Sequence, residues 1–259
     1  MLRCKGRVQL MTLLHRVNRH GAVIPDPSAL PNEPVDFGSK LQASLEIWRD
    51  KGHRSVLLEL PIHLSELIPV AVKAGFAFHH SNAQELTLLR SLTAEPVFVP
   101  SATHTVGAGA VVINDQQELL VVWEATERNN PNRYKLPGGY VDPGEHIGTA
   151  VEREVLEETG VHARFEAMVC VRHWHVNLFG SSNLYFICQL TPLTEEIRDL
   201  DPEIHDVKWM PVKDYLASDE IYPFNQRVVE MALRGDGMST GNLEGYARSP
   251  EEVEIFFQP

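Results

Sequence analysis

The sequence predicts an α/β fold in two parts, on three observations. Through residues 1–95, short aliphatic runs of strand length alternate with stretches whose apolar residues recur at helical spacing, the mark of a small α/β domain. Residues 96–105 carry Pro96 and Pro100 and no periodic pattern, as a linker does. In residues 106–235, mixed strands surround one long helical stretch. Residues 236–259 are a tail, Gly- and Ser-bearing at first and then acidic-apolar (EEVEIFF), which either packs late or stays mobile.

In the first part, residues 8–14 (VQLMTLL) and 21–24 (GAVI) read as strands, and Pro25, Pro27, Pro31 and Pro34 mark a loop. Phe37, Leu41, Leu45 and Trp48 form the stripe of a helix that starts near Asp36 and stops at Gly52, with Trp48 assigned to the core. Residues 55–60 (SVLLEL) are a buried strand. Leu64, Leu67, Ile68 and Val72 set a second helix ending at Gly75, which Pro69 would kink. Residues 76–79 and 86–92 add two strands. His79 and His80, as strand neighbours, should face opposite ways and so not share a metal.

In the second part, residues 107–113 and 119–123 flank Asn114-Asp115-Gln116-Gln117 as a hairpin-like pair. Residues 124–133 form a polar, Asn-rich loop, either a cover for the site or plain surface. Strands follow at 165–172 and 183–190, joined through HWHVNLFG, with another at 207–210 and a closing helix at 226–233.

Formal charge is −12, from 35 acidic against 23 basic residues, which argues against a broad nucleic-acid surface. An acidic protein still handles phosphates where metal ions and a few local cations meet them. Cys4, Cys170 and Cys188 show no CxxC or zinc spacing. Cys170 and Cys188 lie in strand-like runs as buried thiols, a usage that suits a reducing interior. No apolar run reaches the ~18 residues of a membrane helix. Near the start, Arg16, Arg19 and His20 follow the apolar patch at once and no small-residue cleavage site is present, so a cytoplasmic protein is expected. An organelle-targeting reading of the first ten residues stays open.

The chain centres on residues 139–161, GYVDPGEHIGTAVEREVLEETGV, entered through the turn-forming Pro137-Gly138-Gly139. Ile147, Val151 and Val155 recur at helical spacing to face a core, and Gly160 is placed to end the helix. Glu154, Glu157 and Glu158 stand at i, i+3 and i+4 and project from one patch of the helix. Carboxylates crowded in this way repel one another unless something positive neutralises them. Arg153 balances part of the charge, best by pairing with Glu145, and the remainder suits a hard, oxygen-seeking cation, Mg²⁺ or Mn²⁺. An isolated ExxEE would read as a solvated acidic face. Here the spacing is fixed much further: Gly, five residues, Glu, seven residues, Arg-Glu, an aliphatic, any residue, Glu-Glu, any residue, Gly, an aliphatic, every position filled.

That pattern resembles the Nudix box in full, and the chain looks like a Nudix hydrolase. The resemblance implies an α/β/α sandwich and metal-dependent hydrolysis of a nucleoside diphosphate linked to another moiety. It puts Glu154, Glu157 and Glu158 on Mg²⁺ or Mn²⁺ with the Gly138 carbonyl, and gives Arg153 the task of orienting the glutamates. One of these glutamates, or Glu203 on a later loop, would be the general base. Arg172, Trp174 and Phe179 are the candidates for substrate binding, a cation for phosphate and aromatic faces for a base, with strand-end packing as the plain alternative. His173 and His175 would point the same way if their strand extends so far.

Residues 41–80 (LQASLEIWRDKGHRSVLLELPIHLSELIPVAVKAGFAFHH) resemble the domain preceding the Nudix fold in one subgroup, a domain similar in fold to N-acetyltransferases. No [RQ]xxGx[GA] loop occurs in the first hundred residues, so no acetyl-CoA binding is expected. A packing, dimerising or gating role is, and a homodimer is left open. The stretches CVRHWH, FGSSNLYFICQLTPL and DPEIHDVKWMPVKDY resemble the same subgroup, which includes plant ADP-ribose and NADH pyrophosphatases. The chain departs at Ser182-Asn183, where plant members commonly carry Ser-Asp, and lacks the SQPWPFPxS run of dedicated NADH pyrophosphatases. The implied substrate is ADP-ribose or NADH, giving AMP. The alternatives are a nucleotide sugar, a capped RNA end, or a Nudix module that binds ADP-ribose without cleaving it.

Overall fold

Strand and helix alternate in the first unit as their apolar patterns require. The computed structural model describes residues 12–95, 99–125, 134–177, 180–198 and 202–258, and the chain divides into two units, Met1–Ala102 and Thr103–Pro259. The first contains β1 (His15–Val17), β2 (Val23–Pro25), α1 (Pro34–Asp50), β3 (Ser55–Pro61), α2 (Ile68–Lys73), β4 (Ala77–Ser81) and β5 (Glu85–Ser91). Its sheet runs β1-β2-β3-β5-β4. Phe37, Leu41, Leu45 and Trp48 of α1 are sealed from solvent in one cluster with Val56, Leu58 and Leu60 of β3, so the predicted stripe is the core face.

Three expectations change here. Most of the strand expected at residues 8–14 lies outside the described residues, and the strand observed nearby is β1. Pro69 does not kink one helix: a 3₁₀ turn, Ile62–Leu67, ends and α2 begins, with Pro69 in its first turn where a missing N–H costs nothing. His79 and His80 do not face opposite ways. A register shift between Phe78 and His80 in the β4–β5 ladder brings their Nδ1 atoms to 2.7 Å.

The second unit contains β6 (His104–Val112), β7 (Glu118–Glu124), β8 (Gly138–Tyr140), α3 (Ile147–Thr159), β9 (Ala163–Trp174), β10 (Ser182–Pro192), β11 (Ile204–Pro211), α4 (Val212–Ala217), α5 (Pro223–Arg234), β12 (Ser239–Gly241) and β13 (Ile255–Phe257). Its sheets run β8-β6-β10-β9, β11-β7 and β12-β13. β6 takes in His104 and Thr105, which the sequence assigns to the linker. β6 and β7 do not form the expected hairpin. They meet through one isolated bridge, Ile113↔Leu119, and each finds a longer ladder elsewhere: β6 parallel to β10, β7 antiparallel to β11.

Side chains alternate across these strands and both faces are covered. Val111, Leu119, Val121 and Ile187 pack in one cluster with Val212 and Tyr215 of α4 and Val228 and Val229 of α5. Ala108, Ala110, Val112, Leu120, Cys188 and Leu190 pack in another with Val151 and Val155 of α3. Helices on both sides of mixed strands make the α/β/α sandwich. Cys188 is buried, as its strand position implies, Cys170 is half-buried, and Cys4 lies outside the described residues. Among the described residues, no helix is long and apolar enough to cross a membrane.

Candidate active site

The chemistry of the second unit collects on α3 because the apolar side of that helix leaves its acidic side no choice of direction. Val151 and Val155 are fully buried and Ile147 packs beside them, so residues at 153, 154, 157 and 158 turn toward the sheet edge or solvent. The helix ends at Gly160, whose φ of 74° is the left-handed cap the sequence predicts. An added Cβ there would also lie 2.7 Å from the Cβ of Arg198.

Arg153 organises the acidic patch. Its Nε and Nη2 each donate to one oxygen of Glu145 at 2.9 Å, the bidentate pairing predicted from sequence. Nη1 donates to Glu154 at 2.8 Å and to Glu157 at 2.9 Å, and Nη2 also reaches the Tyr140 carbonyl at 3.1 Å. Glu145 is held below the ordinary carboxylate range, first by its hydrogen bond from Arg153. Arg153 is correspondingly raised, the Glu145 bond being the largest cause.

The three glutamates are not equivalent. Glu158 is buried and its Oε2 accepts the Gly138 N–H at 2.8 Å. Burial pushes its carboxyl up to about 8, while the Gly138 bond and the charge of Lys135 pull the other way. Glu154 is also raised, by burial first, with Arg153 opposing. Glu157 is the exposed member of the set. Two of the carboxylates thus rest against consecutive glycines of β8. Only glycine fits there: Gly138 has φ 149°, and a Cβ on Gly139 would come within 2.5 Å of Glu154 Oε2.

Gly138 and Gly139 also form one wall of a cavity of about 440 Å³. Lys135, ion-paired with Glu124, lines it nearby, and Arg172, Tyr185 and Phe224 form another side. The Arg172 guanidinium sits 5.0 Å from the centre of the Tyr185 ring and 5.6 Å from that of Phe224, and its Nε is buried without a hydrogen-bond partner among the described residues. Asn177, Asn183 and Asn225 add amides to the lining.

Of the residues picked from sequence, Arg153, Glu154, Glu157, Glu158 and Gly138 come together, and Arg172 faces the cavity beside them. Trp174 does not line it. It sits at the exposed end of β9, opposite Asn183. Glu203 is exposed and does not line the cavity, and its backbone carbonyl receives the Ala125 N–H at 2.8 Å. Phe179 lies outside the described residues. His173 and His175 do share a side, with ring centroids 4.2 Å apart, and His104 joins them at 2.9 Å from His173. Sequence reasoning missed Lys135, Tyr185 and Phe224. Tyr185 carried a usable signal, because it lies two residues past Asn183 on the same side of β10, the side that also bears Arg172 across the ladder.

The donor set fits a hard divalent cation: carboxylate oxygens on adjacent turns, two of them at glycines of the cavity wall, with Glu158 buried and in no ion pair among the described residues. Glu154 and Glu157 are drawn to Arg153. Among the described residues, no three acidic, histidine or cysteine side chains converge on a single point as metal ligands do.

A mixed sheet between helices, with an Arg-braced acidic helix against a diglycine strand, defines a phosphoanhydride-handling class of fold and site. Comparisons with known proteins agree. A family profile described as NUDIX domain matches residues 103–231, and one described as Nudix hydrolase domain matches residues 13–92. Nudix hydrolase 2 of Arabidopsis thaliana is 37% identical over 247 residues, covering 93% of this chain and 87% of that protein. Nudix hydrolase 8 of the same plant is 40% identical over 202 residues, covering 77% of this chain, which spans only 55% of that relative's length. Human Nucleoside diphosphate-linked moiety X motif 6 is 36% identical over 203 residues, covering 77% of this chain and 64% of that one. The chain belongs to the Nudix hydrolase family.

Proposed function

We propose that this chain hydrolyses the pyrophosphate bond of a nucleoside diphosphate linked to another moiety, with ADP-ribose or NADH as substrate and AMP as product. The observation that carries the reading is the placement of Glu154 and Glu158 against Gly139 and Gly138, the same two residues that wall the cavity. Its volume of about 440 Å³ falls within the roughly 300–1,000 Å³ of small-molecule sites. The preference for ADP-ribose or NADH rests on the subgroup that the sequence resembles.

In this reading Glu154, Glu157, Glu158 and the Gly138 carbonyl hold Mg²⁺ or Mn²⁺. The ion supplies neutralisation of the phosphoanhydride oxygens and a more acidic bound water. Arg153 keeps Glu154 and Glu157 in place, being braced in turn by Glu145. Arg172 presents an unpaired guanidinium edge to a phosphate, and the Tyr185 and Phe224 rings give the cavity its apolar faces. Glu158 is the best-placed general base, since it is buried at the wall and its carboxyl already favours holding a proton. Glu203, exposed and outside the lining, is not needed for that role.

The test is a panel of ADP-ribose, NADH, nucleotide sugars and capped RNA, each with Mg²⁺ and with Mn²⁺, read by product identity. AMP release from ADP-ribose or NADH is expected, and Glu157→Gln should abolish turnover while nucleotide binding persists. Binding of ADP-ribose by the wild type with no metal-dependent cleavage of any substrate would leave a binding module instead.

A further inference from the structure

The first turn of α3 takes its cap from the far end of the chain. His146 stands at the N-cap position with extended backbone, but its side chain makes no capping bond, and the first turn holds no acidic residue. The orphan amides of such a turn need an acceptor. The Ile147 N–H donates to Glu254 Oε2 at 2.7 Å and the Gly148 N–H to Glu254 Oε1 at 3.1 Å, across more than a hundred residues of sequence. A carboxylate gripping two consecutive amides also opposes the positive end of the helix dipole.

The segment carrying Glu254 is anchored around this contact. β12 pairs with β13, and Met238 exchanges both backbone hydrogen bonds with Met168 of β9, each at 2.8 Å. Phe256 lies against Phe165, ring centroids 5.8 Å apart, and His146 Nε2 is 3.1 Å from the Pro250 carbonyl oxygen. Gly148 leaves the carboxylate its room, since a Cβ there would lie 3.1 Å from Glu254 Oε1.

We infer that Glu254 is a positioning residue for hydrolysis. By fixing the start of α3 it sets where the next two turns of that helix bring Glu154, Glu157 and Glu158 against Gly138 and Gly139. It also steadies His146, the neighbour of Glu145, on which Arg153 depends. Glu254 is not part of the cavity lining, so its loss acts on the glutamates and not on nucleotide contacts. This inference rests on α3 being the catalytic helix.

Three readouts test it on the full chain, comparing Glu254→Ala and Glu254→Gln with wild type. Loss of an N-cap costs about 1 kcal/mol, so amide exchange at Ile147 and Gly148 in metal-free Glu254→Ala should quicken roughly fivefold. Mn²⁺ affinity, followed by the free-ion paramagnetic signal, should weaken. On whichever nucleotide the wild type cleaves, kcat should fall about tenfold with KM held. Glu254→Gln keeps one acceptor oxygen and should recover part of each loss; this milder variant also serves if Glu254→Ala does not fold. Unchanged exchange would overturn the cap. Faster exchange with unchanged Mn²⁺ affinity and kcat would leave a purely structural contact and overturn the positioning role. A wild type that binds Mn²⁺ yet cleaves nothing would sink the proposed hydrolysis alone, while the exchange and affinity shifts would still decide the role of Glu254.

Discussion

Glu158 shows how one side chain can couple proton, fold and cation. Its carboxyl is buried against the Gly138 amide and is pushed up to about 8, well above the ordinary carboxylate value it regains on unfolding. The folded state therefore favours the protonated form. The stability that this adds is complete at pH below the ordinary carboxylate value and is lost as pH climbs through about 8. Thermal melts of metal-free protein should show melting temperature falling across that interval. In Glu158→Gln, neutral at every pH, this part of the slope should vanish. Persistence of the full slope in the variant would assign it to other groups.

At the scale of elements, α3 is where sequence and structure coincide most closely. Ile147, Val151 and Val155 seat the helix, Arg153 meets Glu145, and Gly160 ends it, all because these depend on local spacing and chirality. Gly160→Ala should therefore destabilise the protein by about 1 kcal/mol or more, from left-handed strain together with the approach to Arg198, in denaturant unfolding. What the sequence hid was long-range. Nothing local distinguishes a β6–β7 hairpin from two strands that leave for β10 and β11. The strand expectation for His79 and His80 failed on a single extra residue in β4, which periodicity cannot register. The cavity residues Lys135 and Phe224 come from segments with no motif of their own, brought together only by folding. The tail was legible as acidic and apolar, but the target of Glu254 was not.

At the scale of the whole chain, each unit has its own core. The cluster holding Phe37, Trp48 and Leu58 lies wholly in the first unit, and the two clusters flanking the second unit's strands lie wholly in the second. Leu58→Ala opens a void in a fully buried position and should cost about 2–5 kcal/mol. In calorimetry that loss should fall on one transition, and hydrolysis measured below it should keep its kcat. A single merged transition shifting as a whole would show the units unfolding together.

The parallel ladder between β6 and β10 has a bearing on how the molecule is made. His104 pairs with Ser182, and every residue between them must leave the ribosome before that ladder can begin to close. Until then β6 has no neighbour on that side, and the Gly107 and Tyr185 walls of the cavity remain apart. The nascent second unit therefore exposes an aliphatic strand for most of its translation, a stage at which chaperone engagement or aggregation competes with folding.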